Sequence, residues 1–170
     1  VFTVANEEKT KKLIQAQKRH MHIGVPGHGI VIAVPIKSVG GGKTVAFLNG
    51  ETDNAAYTPS LNYAHELIVA VCSQGCTDMV MNAARAAGAR GGTVLHGKGT
   101  GAKGAPKFYN ITIAQEKEMI LIVAAASQKA AIMQSILKKA GPDSKAGTIV
   151  FSLPTTQVAG FALLDNQDET

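Results

Sequence analysis

Residues 119–154 read MILIVAAASQKAAIMQSILKKAGPDSKAGTIVFSLP, and this stretch decides the fold. The continuous apolar run 119–124 is typical of a buried strand, and residues 128–140 place apolar side chains at helical spacing before a Gly-Pro pair that ends the helix. Residues 148–153 are rich in β-forming side chains, and Pro154 ends them because proline cannot donate to a strand ladder. The apolar face of the helix consists of Ile132, Met133, Ile136 and Leu137. The stretch therefore predicts a strand, a helix and a second strand.

The start of the chain repeats this pattern. Residues 1–41 align with residues 120–160 without a gap when the chain is shifted by 119 positions. The identical pairs are Val4 and Val123, Ala5 and Ala124, Gln15 and Gln134, Ile30 and Ile149, Val31 and Val150, Pro35 and Pro154, Val39 and Val158, and Gly41 and Gly160. The first copy accordingly predicts a strand at 1–4, a helix at 9–21 and a strand at 29–34. The residues predicted to face inward on this helix are Leu13, Ala16 and Gln17.

The residues between the two copies complete the second one. They predict strands at 65–72, 91–96 and 108–114, a helix at 77–87, and a glycine-rich basic loop at 97–107. Thr77 is the predicted N-cap of the helix. From residue 64 to residue 158 the order is βαββαβ, the ferredoxin-like α+β motif with an antiparallel sheet and two helices on one face.

These elements divide the chain into a partial copy of the fold (strand-helix-strand) at 1–41, a connector at 42–63, a complete ferredoxin-like domain at 64–160 and a tail at 161–170. A complete first copy would begin about 55 residues before Val1, because 64 minus 119 is −55. The chain also opens at Val1 without a methionine. We therefore expect the sequence to be a fragment of a longer protein.

The composition excludes several classes of protein. The 170 residues contain 17 Lys and Arg against 12 Asp and Glu, and the resulting charge of +5 favours an anionic partner. No apolar stretch approaches the roughly 18 to 20 residues of a membrane helix, so no membrane span is expected. Two cysteines are too few for a disulfide framework in a chain of this size, which favours the cytoplasm.

Two glycine-rich segments are candidate ligand-binding sites. Residues 97–104, GKGTGAKG, lie in a stretch from Met79 to Gln115 that contains lysines and arginines but no acid, so an anion is favoured there. Residues 24–29, GVPGHG, place glycines where backbone N–H groups can converge on a phosphate. The simpler interpretations are a hairpin tip for the first segment and a helix C-cap with a turn for the second. The candidate residues are Gly24, Gly27, Gly29, Gly97, Lys98, Gly99, Thr100, Gly101 and Lys103.

Other groups of chemically active residues are incomplete. Cys72 and Cys76 do not have the spacing of a redox or zinc pair, so we expect structural thiols. Glu116 and Glu118 alternate along a strand, and a solvated strand turn explains them most simply. Three histidines near the first glycine segment lack carboxylate or cysteine companions: His20, His22 and His28. The sequence predicts no catalytic residue and no metal site, and hence a protein that is not an enzyme.

Three segments resemble the PII signalling protein family. Residues 88–101 are similar to the family's second strand as it enters a long mobile loop, residues 113–123 to its return strand, and residues 24–35 to its nucleotide-binding corner and the following strand. The resemblance covers most of 1–41 and 64–160. The chain also departs from the family pattern, because Gly160 and Phe161 stand near the positions of the family's arginines, and the loop has no tyrosine for nucleotidyl modification.

The resemblance implies a regulator. PII-like proteins assemble as trimers, bind adenine nucleotides in clefts between subunits, and contact target proteins through the loop that corresponds here to 97–107. It implies ATP, ADP or AMP as ligand, with no resident cofactor. It adds Lys43 as a phosphate contact, and Lys145 and Gly147 as the remnant of the corner in the second copy. The short loop without tyrosine predicts a role other than conventional nitrogen control.

We therefore predict a ligand-sensing regulator of the PII-like type that binds an adenine nucleotide or another small anion at subunit clefts and signals through the basic loop to a target protein. The alternative is a nucleic-acid-binding module that uses the basic surface, and the scarcity of aromatic side chains on the strands disfavours it. Residues 118–126 are apolar on both sides of their strand. A second unit should cover the sheet, so we expect a homo-oligomer, either a trimer or a dimer of tandem units.

Overall fold

A computed structural model describes residues 2–25, 28–36, 60–99, 107–108, 111–112 and 115–160. In chain order the elements are α1 (Glu7–His20), β1 (Val31–Ala33), β2 (Asn62–Ser73), α2 (Thr77–Arg85), β3 (Thr93–Gly99), β4 (Lys107–Phe108), β5 (Ile111–Thr112), β6 (Gln115–Ala125), α3 (Ala126–Ala140), β7 (Ile149–Thr155) and β8 (Gln157–Ala159). The chain divides into two compact units, one of Val1–Asn62 with Pro154–Thr170 and one of Tyr63–Leu153. Among the helices in the described ranges, none is long and apolar enough to cross a membrane.

The larger unit contains a four-stranded sheet with the order β3-β6-β2-β7. The long strand β6 pairs antiparallel with β2 on one side and with β3 on the other. The core lies on one face of this sheet, where Ile68, Ile120 and Ile122 are fully buried together with Ile132 and Ile136 of α3. Residues of α2 belong to the same cluster, so both helices cover the same face. The predicted βαββαβ order and the ferredoxin-like fold are confirmed.

The strand and helix bounds differ from the predictions at several points. The predicted strand 108–114 is wrong, because β4 and β5 form a short antiparallel pair and the return strand is β6. Strand β3 extends to Gly99, three residues beyond the predicted end, because β6 continues opposite it and provides a ladder partner. Strand β7 runs through Pro154 to Thr155. A proline is tolerated there because β7 is the edge strand of the sheet.

The helices also differ in detail. Helix α2 ends two residues before the predicted limit, and α3 ends at Ala140 as the Gly-Pro signal indicates. On α3, Ile132 and Ile136 are buried as predicted, whereas Leu137 is 45% exposed. The residue at the N-cap position of α2 is Cys76 and not Thr77. Helix boundaries depend on tertiary partners as well as on the local sequence, and the partner of Thr77 lies on a distant strand.

The hydroxyl group of Ser135 connects the two helices. Its Oγ donates to the backbone oxygen of Ala83 at 2.7 Å, and that oxygen is among the last four carbonyls of α2, which a helix leaves without an internal partner. We expect Ser135→Ala to lower the free energy of unfolding by about 1 kcal/mol in urea denaturation. Ser127→Ala on the exposed surface of the same helix is the control and should change it by less than about 0.5 kcal/mol. Equal effects of the two changes would contradict the assignment.

The smaller unit contains α1, β1 and β8. Asn6 caps α1, since its side-chain oxygen accepts a hydrogen bond from the backbone N–H of Lys9 at 2.9 Å. The prediction of a strand at 1–4 is wrong for the described residues 2–4, which form none. The predicted inward face of the helix is wrong for Leu13 and Ala16, which are exposed, whereas Gln17 is half-buried and the buried residue of α1 is Ile14. Strand β1 pairs antiparallel with β8, and Val31 lies opposite Ala159.

The predicted division of the chain at 1–41, 42–63, 64–160 and 161–170 remains a prediction, and the structure describes few residues of the connector and none of the tail.

Candidate functional site

Several site residues of the larger unit lie at the end of β3, which pairs with the start of β6. His96 lies opposite Glu118, Gly97 opposite Lys117, and Lys98 opposite Glu116. Because side chains alternate along a strand and opposite residues share a face, His96 and Lys98 lie on one face with the two glutamates. The other face carries Lys117 beside glycines. The strand ends therefore present cations on both faces of the sheet.

Lys117 lies against a strand that has no side chains at the neighbouring positions. A Cβ atom at Gly99 would lie only 3.1 Å from Cγ of Lys117, so the lysine stem occupies the space that a side chain on β3 would fill. The Nζ atom of Lys117 donates to the hydroxyl of Ser73 at 3.3 Å. The glycines of the predicted ligand-binding segment therefore leave room on the β3 side for the stem of Lys117, while its ammonium group reaches Ser73 on β2, the strand on the other side of β6.

Ser73 also contacts the turn at 145–147, which contains two further predicted site residues. Its backbone N–H donates to the oxygen of Ala146 at 2.9 Å, and this residue stands between the predicted site residues Lys145 and Gly147. Lys145 is exposed, and its backbone oxygen accepts a weak hydrogen bond from the thiol of Cys76. The end of β2 thus brings the turn at 145–147 and the start of β6 to one corner of the unit.

Glu118 is the buried carboxylate of this region. Its side chain is 8% exposed, and its Oε2 accepts hydrogen bonds from the hydroxyl of Thr77 at 2.6 Å and from the backbone N–H of Thr77 at 3.2 Å. These bonds, the hydroxyl above all, together with the backbone N–H of Gly75 and the nearby His96, lower the pKa of Glu118 against the opposing effect of burial. The expectation of a solvated Glu118 is wrong. A carboxylate from β6 satisfies the first turn of α2.

The sequence signal for this role of Glu118 is its position on the strand. Glu118 has the same strand parity as Ile120 and Ile122, and both isoleucines face the core. An acid in register with a buried apolar face is expected to have a polar partner inside. Glu116 continues this parity at the strand end, but its side chain is 44% exposed.

The two cysteines are free and buried, so the prediction of structural thiols is confirmed. Burial, followed by the neighbouring Glu118 and Cys76, raises the pKa of the Cys72 thiol to about 11. A thiol with such a pKa is a poor nucleophile at neutral pH, because the thiolate is the reactive form.

The remaining predicted site residues are in the smaller unit or outside the described residues. Gly24 and Gly29 both have a positive φ, at 122° and 100°, as a tight corner requires. Near them, the rings of His22 and His28 lie 6.1 Å apart. Across the described ranges, no group of three or more His, Cys, Asp or Glu side chains could hold a metal ion. The predicted residues outside the described ranges are Gly27, Lys43, Thr100, Gly101 and Lys103.

The part of the chain that matches known proteins contains the ferredoxin-like elements. The family model for nitrogen regulatory protein P-II matches residues 65–161, more than half of the chain. The chain belongs to the P-II family. Among solved structures, it is similar to PII of Arabidopsis thaliana bound to citrate, with 22% sequence identity and a TM-score of 0.41, over 54% of this chain and 77% of that chain. A comparison with curated proteins finds no match.

Membership in the P-II family confirms the resemblance of residues 88–101 and 113–123, which lie inside the matched range, whereas residues 24–35 lie outside it. Proteins of this family are small-ligand-sensing regulators rather than enzymes. The P-II match begins at β2 and continues past β8, so it includes the ends of β3 and β6, the corner at Ser73 and the turn at 145–147.

Proposed function

We propose that this P-II protein is a cytoplasmic regulator that binds an adenine nucleotide, namely ATP, ADP or AMP, or another small anion in a cleft between subunits. It signals to a target protein through the segment 97–107. The proposed ligand contacts are Gly24, Gly27, Gly29, Lys43, Gly97, Lys98, Gly99, Thr100, Gly101, Lys103, Lys145 and Gly147.

One observation supports this function above the others: Lys98 and Lys117 stand at the two strand ends that adjoin a basic, acid-free segment. The side chain of Lys98 is 69% exposed, and Lys117 reaches the corner where the turn at 145–147 meets Ser73. Two lysines next to a basic segment attract an anion from solution and hold it by charge-assisted hydrogen bonds.

The sheet supports the proposal of an oligomer. On the face away from the helices, Met119, Ile149 and Phe151 are exposed at 39%, 65% and 42%. Apolar side chains gathered on one face mark a contact surface. We propose that another copy of the chain covers it, in a trimer or a dimer of tandem units, and that the nucleotide cleft forms at this assembly.

Thermal unfolding of the protein with ATP, ADP, AMP and inorganic triphosphate tests the function. A ligand that binds the native state stabilises it by about 2.7 kcal/mol at a concentration one hundred times its Kd. We expect at least one of these nucleotides to raise Tm. If none of the four anions does so, the proposed adenine-nucleotide function is wrong. Binding of single-stranded RNA that weakens steeply between two salt concentrations would favour the nucleic-acid alternative.

Lys98→Gln tests the contact directly. We expect it to weaken ATP binding in isothermal titration calorimetry about tenfold, because a charge-assisted hydrogen bond contributes roughly 1.5–3 kcal/mol. Lys138→Gln makes the same change in net charge on the exposed end of α3 and should leave the Kd within about twofold. Equal weakening by both variants would show that only the overall charge matters.

A further inference from the structure

Glu116 faces Lys98 across the ends of β6 and β3. The Nζ atom of Lys98 lies 3.6 Å from Oε1 of Glu116, and the side chains are 69% and 44% exposed. After the basic stretch from Met79 to Gln115, Glu116 is the first acid in the chain. Glu116, the acid that follows the basic stretch, therefore stands beside Lys98, one of the proposed ligand contacts.

We propose that Glu116 is an internal counter-ion that occupies the ammonium group of Lys98 until an anionic ligand displaces it. This inference rests on the proposed function and adds how the site sets its affinity. Glu116 lowers the affinity for every anion, and it lowers the affinity for the most highly charged anions most. It is a residue that determines specificity by charge.

The geometry of the two neighbouring glutamates explains why Glu116 can be displaced. Glu118 is held by the hydroxyl and the backbone N–H of Thr77 and is buried, so leaving its position would break several hydrogen bonds. Glu116 makes a looser contact at the surface, and its ionic partner among the described residues is Lys98. An exposed pair of this kind changes an equilibrium by only about 1.5- to 5-fold. A phosphate group can therefore compete with it.

The charge of the ligand decides the size of the effect. After displacement, the Glu116 carboxylate stays near the bound anion, and its repulsion increases with the ligand's charge. Replacing the carboxylate by an amide removes both the competition and the repulsion. The gain in affinity should therefore be larger for ATP than for AMP.

Titration calorimetry at low ionic strength, with ATP and with AMP, tests the proposal. We expect Glu116→Gln to bind AMP about 3-fold and ATP about 5- to 10-fold more tightly than the wild type. Both gains should shrink when salt is added, because salt screens exposed charges. Glu8→Gln is the matched control, since Glu8 forms an exposed ion pair with Lys12 on α1, and its affinities should equal those of the wild type.

A double-mutant cycle distinguishes displacement from repulsion at a distance. If Glu116 acts by occupying Lys98, the change to glutamine should increase ATP affinity only about 2- to 3-fold in the Lys98→Gln background, because the repulsion remains there and the competition does not. A gain that persists in full in that background overturns the proposal, as do wild-type affinities of Glu116→Gln for both nucleotides. Wild-type protein that binds neither nucleotide rejects the proposed adenine-nucleotide function itself, and this inference is rejected with it.

Discussion

We expect Glu118→Gln to lose about 2–3 kcal/mol of unfolding free energy at neutral pH. The carboxylate accepts two hydrogen bonds from Thr77, and hydrogen bonds to a charged group are the stronger kind. A glutamine retains one acceptor oxygen without the charge, and it places an amide N–H₂ group where the site offers donors. Urea unfolding measures the loss. Glu116→Gln is the control two residues away, and it should change the free energy by less than about 0.5 kcal/mol.

The difference between wild type and Glu118→Gln should depend on pH with a defined sign. Because Thr77 lowers the pKa of Glu118 in the folded state, the unfolded chain binds the proton more readily. The stabilisation is complete above the ordinary glutamate pKa of about 4.3 and is lost as the pH falls through the lowered folded value. The difference should therefore be constant between about pH 6 and 7 and should shrink below about pH 4. A difference of the same size at all pH values would contradict a role for the charge.

Gly160→Ala should open the pairing of β8 with β1. Gly160 follows β8 with a φ of 88°, which L side chains rarely adopt. A Cβ atom there would overlap the carbonyl oxygen of Gly29 and would lie 3.2 Å from Cα of Ile30, so the backbone must move. We expect the local stability of this strand pair to fall by about 2–4 kcal/mol. Faster amide hydrogen exchange of Val31 and its neighbours measures the loss.

Gly75→Ala separates the two causes of that loss. Gly75 has a similar φ of 77°, but a Cβ atom there would meet no atom within 4 Å. It therefore carries only the conformational cost, about 1–2 kcal/mol. If Gly160→Ala does no more than Gly75→Ala, the close approach of Gly29 contributes nothing and the interpretation is wrong.

The elements that the sequence predicted correctly are those whose signals are local. The apolar run of β6, the helical spacing of Ile132 and Ile136, and the Gly-Pro stop after α3 all lie within a short window, and the order of elements follows from them. The glycines at 97 and 99 predict a loop for Gly97, Lys98 and Gly99, because glycine disfavours strands. They are in β3 because β6 pairs with them.

The parts that the sequence did not predict depend on distant partners. The local sequence predicts Thr77 as the N-cap of α2. In the structure Thr77 is the first residue of the helix, and its hydroxyl donates a hydrogen bond to Glu118 on β6. The burial of Ile14 in place of Leu13 depends on which face of α1 is covered, and an amphipathic pattern with several apolar faces leaves that choice open. Charge pairs such as Lys98 with Glu116 depend on strand register, which the sequence alone did not fix.

The distant cap has a consequence for the order of folding. Thr77 and Glu118 are 41 residues apart, so the first turn of α2 receives its acceptor only after the chain has closed that loop. A peptide containing α2 alone would lack the acceptor, and nine residues are too few for a stable isolated helix in water. The start of α2 should therefore form late, after β6 has docked, and Glu118→Gln should speed unfolding more than it slows refolding.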